Sequence, residues 1–434
     1  MMQAQLGRLT GWLRRTNAQP GGPSGLVALD VGTEFAKALV VEVAPDGEGR
    51  LSGIVRGSGR QRQGLTHMQS GTVSDIDAVV ANSAEALSQA RDAAGFSATA
   101  AVIGIAGELV KGTTSSGTVR REDPRAPMDE AELQRIVEHV QSEALVEAER
   151  RIAWESGVER LDVRLVHAAV VEMKIDGYPV SNPIGFTGAQ VELAVFNAFA
   201  PMVHLGALQS VAAQLGLELL GVVAEPYAVA TCLDPGELGD AGAVFVDVGG
   251  GTTDVALVRH GGIAGTKMLA LGGRAFTRGL ADRFGLSFAR AEALKLSASG
   301  TDDLPEPIDR ATLEAALNED AMIWLGGVEL MIGDLGEGEL LPARVYLCGG
   351  GAQLPQITRA LDDDGWWRRL PFARRPQVRA LTPDDVVGIR DASGQLTTRQ
   401  DVTPMALAHQ ALIIDASTGA AERAMRGAVR AMEL

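Results

Sequence analysis

Short apolar runs alternate with stretches of helical periodicity along most of the chain. β-Rich runs at 26–29, 38–41 and 101–105 predict strands, and residues 76–94 predict a helix that ends near Gly95. Strands that alternate with helices in this way predict an α/β fold.

A different pattern interrupts this alternation. Residues 113–127 are polar and predict a loop, residues 128–153 carry a long charged helical pattern, and residues 163–171 alternate as in a strand. The alternation of strands and helices resumes from Val191. We therefore expect a small inserted α+β module at about 106–187.

One stretch is long enough to raise the question of a membrane span. Residues 193–217 contain no Asp, Glu, Lys or Arg, but His204, Gln209 and Gln214 recur within it at roughly helical spacing. A bilayer helix needs about 20 predominantly apolar residues. The pattern therefore favours an amphipathic helix that starts near Pro201.

The first 19 residues differ from the rest of the chain in charge. They carry three arginines and no acidic residue, and a linker rich in Pro and Gly follows at 20–25. On a helical wheel the apolar side chains share one face, Trp12 flanks it, and two arginines lie opposite. This pattern is typical of an interfacial membrane helix, although Gly7 and Gly11 favour a disordered basic tail. The candidate membrane-binding residues are Leu6, Leu9, Trp12, Leu13, Arg8 and Arg15.

Composition narrows the class of protein. The chain has 434 residues, 46% of them hydrophobic, and a formal net charge of −16. It is long enough for two or more lobes, and its acidity argues against a general nucleic-acid coat. Its two cysteines, Cys232 and Cys348, stand far apart outside any metal-binding motif, which favours a reducing cytoplasm.

The segment 243–258 is the most informative part of the sequence. Two apolar strands flank a turn of glycines, threonines and aspartates. Successive glycines let backbone amides approach an anion, and threonine hydroxyls add donors. An ordinary Gly-rich hairpin turn would not explain the symmetric placement of the acids. The candidate nucleotide-binding residues are Asp247, Gly249, Gly250, Gly251, Thr252 and Thr253.

A second hairpin repeats this pattern near the start of the chain. The strand at 26–29 ends in Asp30, Gly32 and Thr33, and Lys37 lies on the returning strand. Lys37 is either a phosphate ligand or a solvated lysine. Two such tips predict a duplicated fold that holds a nucleotide phosphate chain from both sides. Asp30 and Asp247 are the candidate carboxylates for Mg²⁺, bound through water.

A third glycine element follows the strand at 345–348. This element precedes a helix that begins at Leu354 and Pro355. Because its glycines have no side chains, a flat base or a ribose could lie against the backbone at the helix N-terminus. The candidate residues are Gly349, Gly350, Gly351 and Ala352.

The two hairpin tips that could bind phosphate and the third glycine element, which could bind adenosine, follow one another along the chain. This order resembles that of the superfamily of actin, sugar kinases and heat-shock chaperone ATPases. Within it, Gly272, Gly273, Glu292 and Lys295 resemble the helix elements that contact phosphate and ribose. Glu225 resembles the glutamate that positions the attacking water.

The inserted module narrows the resemblance to one family. Residues 175–188 are similar to the segment that closes the extra subdomain (SHS2-like) of the FtsA family of bacterial cell-division proteins, and the similarity extends over about 25–415. One departure is Glu34, because a carboxylate beside a phosphate repels it unless it is turned outward or paired.

The resemblance implies an actin-like fold: two ribonuclease-H-like lobes around a nucleotide cleft. The expected division is an N-terminal segment and linker at 1–24, a first lobe at 25–105, 188–240 and 386–415, the inserted module at 106–187, a second lobe at 241–385 with a helical subdomain at about 286–335, and a tail at 416–434.

The resemblance also implies a function. It implies a protein that binds ATP and Mg²⁺, with at most slow ATPase activity, and assembles into dimers or filaments at the division site. It would link FtsZ-type, tubulin-like filaments to the cytoplasmic face of the inner membrane. The alternatives are a PilM-like scaffold of a type IV pilus or secretion machine and a small-molecule kinase on the same fold.

Overall fold

The computed structural model describes residues 25–47, 51–157, 161–239, 241–259, 261–298 and 308–416. The predicted N-terminal membrane helix and the tail beyond residue 416 lie outside these ranges.

Strands and helices alternate through the described ranges. The strands are β1 (Gly25–Val31), β2 (Phe35–Pro45), β3 (Leu51–Arg62), β4 (Met68–Gln69), β5 (Thr72–Val73), β6 (Ala100–Ile105), β7 (Lys111–Arg120), β8 (Val163–Ile175), β9 (Tyr178–Pro179), β10 (Gln190–Pro201), β11 (Glu218–Ala224), β12 (Ala243–Val248), β13 (Thr253–Arg259), β14 (Gly262–Leu269), β15 (Arg344–Cys348), β16 (Gln377–Ala380) and β17 (Ile389–Asp391). The α-helices are α1 (Ile76–Ala94), α2 (Glu130–Ser156), α3 (Met202–Gln214), α4 (Glu225–Ala230), α5 (Pro235–Leu238), α6 (Gly273–Phe284), α7 (Phe288–Ser297), α8 (Arg310–Gly336), α9 (Pro355–Asp362), α10 (Asp364–Trp367) and α11 (Val402–Ala416).

Two sheets repeat one topology. In the first, β1, β2 and β3 form an antiparallel meander, and β6 and β11 extend it in parallel from β1. In the second, β12, β13 and β14 form the meander, and β15 and β16 extend it in parallel from β12. This repetition confirms the predicted α/β, actin-like fold of two related lobes.

The inserted module extends the sheet of the second lobe. β10 pairs with both β7 and β8, and β7 pairs with β14 at Gly265 and Thr266. The prediction of a loop at 113–127 is wrong for its first half, because the polar residues there form β7. That strand gains its partners only from β10 and β14, which are distant in sequence. We place the end of the module at Pro201 rather than 187, since β10 completes this pairing.

Local signals begin and end α1, which ends at Gly95 as predicted. Asp75 caps α1 by accepting a hydrogen bond from the Ala78 amide at 3.0 Å, and Gly95 ends that helix with φ 74°. The charge-free stretch 193–217 contains the end of β10, at Pro201, and then α3, which begins at Met202 as the predicted helix start near Pro201 requires. In the described part of the chain, no helix is both long and apolar enough to cross a membrane.

Two large clusters of buried side chains hold the sheets. One contains residues of both sheets, among them Leu29 and Phe245, while the other lies around the second sheet and includes Trp324 and Phe276. Helix α11 packs on β1 and carries the chain back to the first lobe. Residues of both lobes line the cleft between them.

Candidate functional site

The two glycine-containing hairpin tips close in the same way. In the first tip the Gly32 amide donates to the Phe35 carbonyl at 3.1 Å, and in the second the Gly249 amide donates to the Thr252 carbonyl at 2.8 Å. Asp30 stands opposite Lys37 in the β1–β2 register. Asp247 and Asp254 occupy the matching positions of β12 and β13. The structure thus confirms the repeated hairpin that the sequence pattern predicted.

These two tips face each other across the cleft. A Cβ on Gly250 would lie 2.8 Å from the Glu34 Cβ, and one on Gly251 would lie 2.8 Å from the Thr33 side chain. Both distances are below ordinary carbon contact. The second tip requires glycine because the first tip presents side chains at the same level.

The third glycine turn packs against the second tip. Gly349 has φ 90°, and a Cβ there would overlap the Asp247 carboxylate. A Cβ on Gly351 would lie 2.6 Å from the Val248 side chain. Gly350 is the open member of the three, with only the Gln400 side chain nearby. This turn leads through a short 3-10 helix into α9.

The three elements enclose a cavity of about 540 Å³. Most predicted site residues line it: Asp30, Gly32, Thr33, Lys37, Glu225, Asp247, Gly249, Gly250, Thr252, Gly273, Glu292, Lys295, Gly349, Gly350 and Gly351. Four others do not line it: Ala352 and Thr253, which are buried, and Gly251 and Gly272, which approach neighbouring residues closely.

Two of these four have a clear packing role. The Thr253 hydroxyl donates to the Leu271 carbonyl at 2.6 Å and accepts from the Trp324 indole at 2.9 Å. A Cβ on Gly272 would lie 2.7 Å from the Gly249 carbonyl oxygen. Gly272 therefore lets the start of α6 approach the second tip closely.

One cation and several carboxylates meet at the base of the cleft. The Lys37 ammonium donates to Asp30 Oδ2 at 2.9 Å and to the Gln400 carbonyl at 2.8 Å. Burial alone would lower the pKa of Lys37, but the neighbouring carboxylates outweigh it and raise that pKa. Lys37 is thus held within the cleft rather than solvated.

The second tip places two carboxylates opposite each other, Asp247 and Asp254, where the first places Asp30 opposite Lys37. Burial raises the pKa of Asp247, against a hydrogen bond of 2.6 Å from the Thr403 hydroxyl. Burial, and then the charge of Asp247, raise the pKa of Asp254 well above its ordinary value. Asp254 Oδ1 is buried without a hydrogen-bond partner among the described residues. A cation or a proton would stabilise this pair.

Glu225 lies at the start of α4, on the floor of the cleft. Burial raises its pKa well above the ordinary value, and the charges of Asp30, Asp254 and Asp247 raise it further. Gly104 on β6 leaves space for the Glu225 carboxyl group, because a Cβ at position 104 would lie 2.5 Å from Glu225 Oε1.

The helical side of the cleft is held by one ion pair. Lys295 donates to Glu292 at 2.8 Å, to the Thr277 hydroxyl at 2.9 Å and to the Gly273 carbonyl at 2.9 Å. Burial opposes the ionisation of Glu292, but Lys295 and Thr277 keep its pKa below the ordinary value. The first turn of α6 is therefore fastened to α7 beside the cavity.

Sequence reasoning missed the arginines of the cleft. Glu34 pairs with Arg62 at 2.6 Å and with Arg274 at 2.7 Å, so its charge is neutralised on both sides. Arg60 also lines the cavity and stacks over the Phe35 ring at 4.9 Å. Isolated arginines carry no motif, and only the fold brings them to the cleft.

The acidic donors suit a hydrated Mg²⁺ better than a metal held directly by the protein. Among the described residues, no three His, Cys, Asp or Glu side chains are grouped as metal ligands. Mg²⁺ commonly keeps several waters and is bound by one or two carboxylates plus phosphate oxygens. Asp30 and Asp247 fit that pattern, and the unpartnered Asp254 oxygen offers a further acceptor.

Known proteins resemble this chain along most of its length. A family model described as Cell division protein FtsA matches residues 244–394. The chain is 26% identical to Cell division protein FtsA of Pseudomonas aeruginosa over 349 residues, which covers 76% of this chain and 78% of that protein. It is 29% identical to the protein of the same name from Escherichia coli strain K12 over 396 residues, covering 84% and 86%.

A solved structure shows the same fold at lower identity. A chain of a PilM-PilN type IV pilus biogenesis complex superposes with a TM-score of 0.63 at 18% identity, covering 89% of this chain and 98% of that one.

Proposed function

We propose that this chain is an FtsA-type cell-division protein, that its cleft binds ATP with Mg²⁺, and that the nucleotide controls its assembly at the division site. The observation that supports this most is the facing pair of matched hairpin tips. Each presents a two-residue loop to the other, as expected for two grips on one phosphate chain.

Each part of the nucleotide has a corresponding part of the cleft. The phosphate chain would lie at the tips, and Lys37 would balance part of its charge from below. Asp30 and Asp247 would hold Mg²⁺ through water. The adenosine would lie near Gly350, the open position of the third turn, with Glu292 and Lys295 on the ribose side.

We propose that ATP turnover is slow. A glutamate that positions water for attack works best as a carboxylate, whereas burial and three nearby acids favour the protonated form of Glu225. Slow hydrolysis suffices if the nucleotide selects between two assembly states, since a ligand shifts an equilibrium through its differential affinity.

The partners are proposed from the family and the sequence. The chain would self-associate and link FtsZ-type filaments to the cytoplasmic face of the inner membrane. Its basic N-terminal residues, among them Arg8, Trp12 and Arg15, would bind anionic lipid. A marginal anchor of this kind gains strength when many copies assemble. The net charge of −16 gives no support to a nucleic-acid partner.

Calorimetry tests the nucleotide proposal. Titration of the purified full chain with ATP should show one site whose affinity falls when Mg²⁺ is removed by a chelator. Asp247→Asn should reduce that dependence on Mg²⁺, while Asp384→Asn, at an exposed carboxylate outside the cleft, serves as the control. No ATP binding by the folded wild type would refute the proposal.

Co-sedimentation tests the adaptor proposal. The chain should recruit FtsZ-type filaments to anionic liposomes, and deletion of residues 1–19 should abolish this recruitment but leave filament binding. A pull-down that retrieves pilus inner-membrane components without FtsZ would favour the PilM-type alternative. Transfer of phosphate to a sugar panel would favour the kinase.

A further inference from the structure

Arg274 is fixed to the second hairpin tip by its backbone. It is the second residue of α6, and its amide donates to the Gly250 carbonyl at 2.7 Å. The neighbouring Gly273 amide donates to the Gly249 carbonyl at 2.9 Å. Any movement of the second tip therefore carries Arg274 with it.

The Arg274 side chain crosses the cleft to the other lobe. Its Nε donates to Glu34 Oε2 at 2.7 Å, which joins the second lobe to the first tip. Arg274 is only 5% exposed, and its Nη2 is buried without a hydrogen-bond partner among the described residues. The guanidinium thus has unused capacity to bind an anion.

The Glu34 carboxylate lies at the position that a phosphate group bound between the two tips would occupy. Glu34 and Arg274 both line the cavity, and Gly250 meets Glu34 directly across the tips. Carboxylate and phosphate oxygens are equivalent acceptors for a guanidinium, and a polyphosphate carries more charge.

We propose that Arg274 is a phosphate ligand of the nucleotide and that Glu34 competes with the phosphate chain for it. This inference rests on the proposed function, because it assigns a further residue to the same cleft. When a nucleotide separates the tips, Arg274 exchanges the Glu34 carboxylate for a phosphate oxygen.

Arg62 keeps the Glu34 carboxylate paired during this exchange. It belongs to the same lobe as Glu34, pairs with the other carboxylate oxygen at 2.6 Å and is 55% exposed. Glu34 therefore keeps a cationic partner after Arg274 leaves. Because the Glu34–Arg274 pair must break before the phosphate binds, Glu34 lowers the apparent affinity for nucleotide.

The test measures the affinities of four full-length proteins for ATP, ADP and adenosine by calorimetry: wild type, Arg274→Gln, Glu34→Gln and Arg62→Gln. Arg274→Gln should weaken ATP binding about tenfold or more, as expected for a lost charged hydrogen bond. Glu34→Gln should strengthen ATP binding several-fold. Arg62→Gln is the matched control, with the same charge change at the same carboxylate, and should stay within about threefold of wild type.

Adenosine separates phosphate recognition from damage to the fold. It has no phosphate, so its affinity should be the same in all four proteins. The inference is overturned if Arg274→Gln leaves ATP affinity unchanged, if Glu34→Gln weakens it, if Arg62→Gln matches Arg274→Gln, or if adenosine affinity falls in parallel. If the wild type binds neither ATP nor ADP, the proposed function fails as well, which is a distinct result.

Discussion

Replacement of Gly349 by alanine should destabilise the folded protein, because the added methyl group has no room in the third glycine turn. Gly349 has φ 90°, and a Cβ there would overlap Asp247 Oδ1 and lie 2.7 Å from the Val248 carbonyl carbon. Positive φ costs alanine about 1–2 kcal/mol, and overpacking a dense site costs about 1–3 kcal/mol. We therefore expect Gly349→Ala to lower the free energy of unfolding by about 2–5 kcal/mol.

The neighbouring glycine provides the matched control. Gly350 has φ −66° and ψ −38°, which alanine adopts without strain, and its Cβ would meet only the Gln400 side chain, at 3.6 Å. Gly350→Ala should therefore change stability by less than about 1 kcal/mol. Urea denaturation without nucleotide, followed by circular dichroism and by intrinsic tryptophan fluorescence, compares the two variants. Equal stabilities would refute the close packing of this turn on Asp247.

Three further predictions concern the acids of the cleft. Asp254→Asn should raise the thermal midpoint at pH 7. Because the folded-state pKa of Asp254 is raised, the contribution of Asp254 to stability falls as the pH rises above about 4. The variant should therefore also lose less stability than the wild type as the pH rises. Thr403→Val removes the 2.6 Å hydrogen bond to Asp247 and should cost about 1–3 kcal/mol in urea denaturation, whereas Thr403→Ser should restore most of it. Gly104→Ala would place a Cβ 2.5 Å from Glu225 Oε1 and should change the ATPase rate more than ATP affinity; equal losses in both would contradict the role of Glu225 in turnover.

The hairpin tips could be predicted from sequence because their signals are local. Aspartate at a strand end and glycines in the following turn determine the backbone of each tip within a few residues. The match between the two tips was visible for the same reason: Asp30 and Asp247 stand at equivalent strand ends. Their position across a cleft follows from the duplicated fold.

Strand β7 could not be predicted because its stability is not local. Its polar residues, KGTTSSGTVR, lack an alternating apolar pattern. The strand forms because β10 lies on one side along its length and β14 on the other. The end of the inserted module is equally hard to predict, since β10 resembles the start of the next lobe in sequence but pairs with β7 and β8.

The environment of Glu34 could not be predicted from the sequence either. From its sequence neighbours alone, a carboxylate at this hairpin tip is expected to repel a bound phosphate. Its partners Arg62 and Arg274 stand 28 and 240 positions away. Only the fold shows that the charge is neutralised and that one partner belongs to the opposite lobe.

A structure determined in the presence of saturating ATP and Mg²⁺ tests the central claim most directly. We predict one nucleotide per chain, with its phosphates at the two hairpin tips, Mg²⁺ linked through water to Asp30 and Asp247, and the base against residues 349–351. A folded protein whose cleft holds no nucleotide under these conditions, or a nucleotide bound elsewhere on the chain, would contradict it.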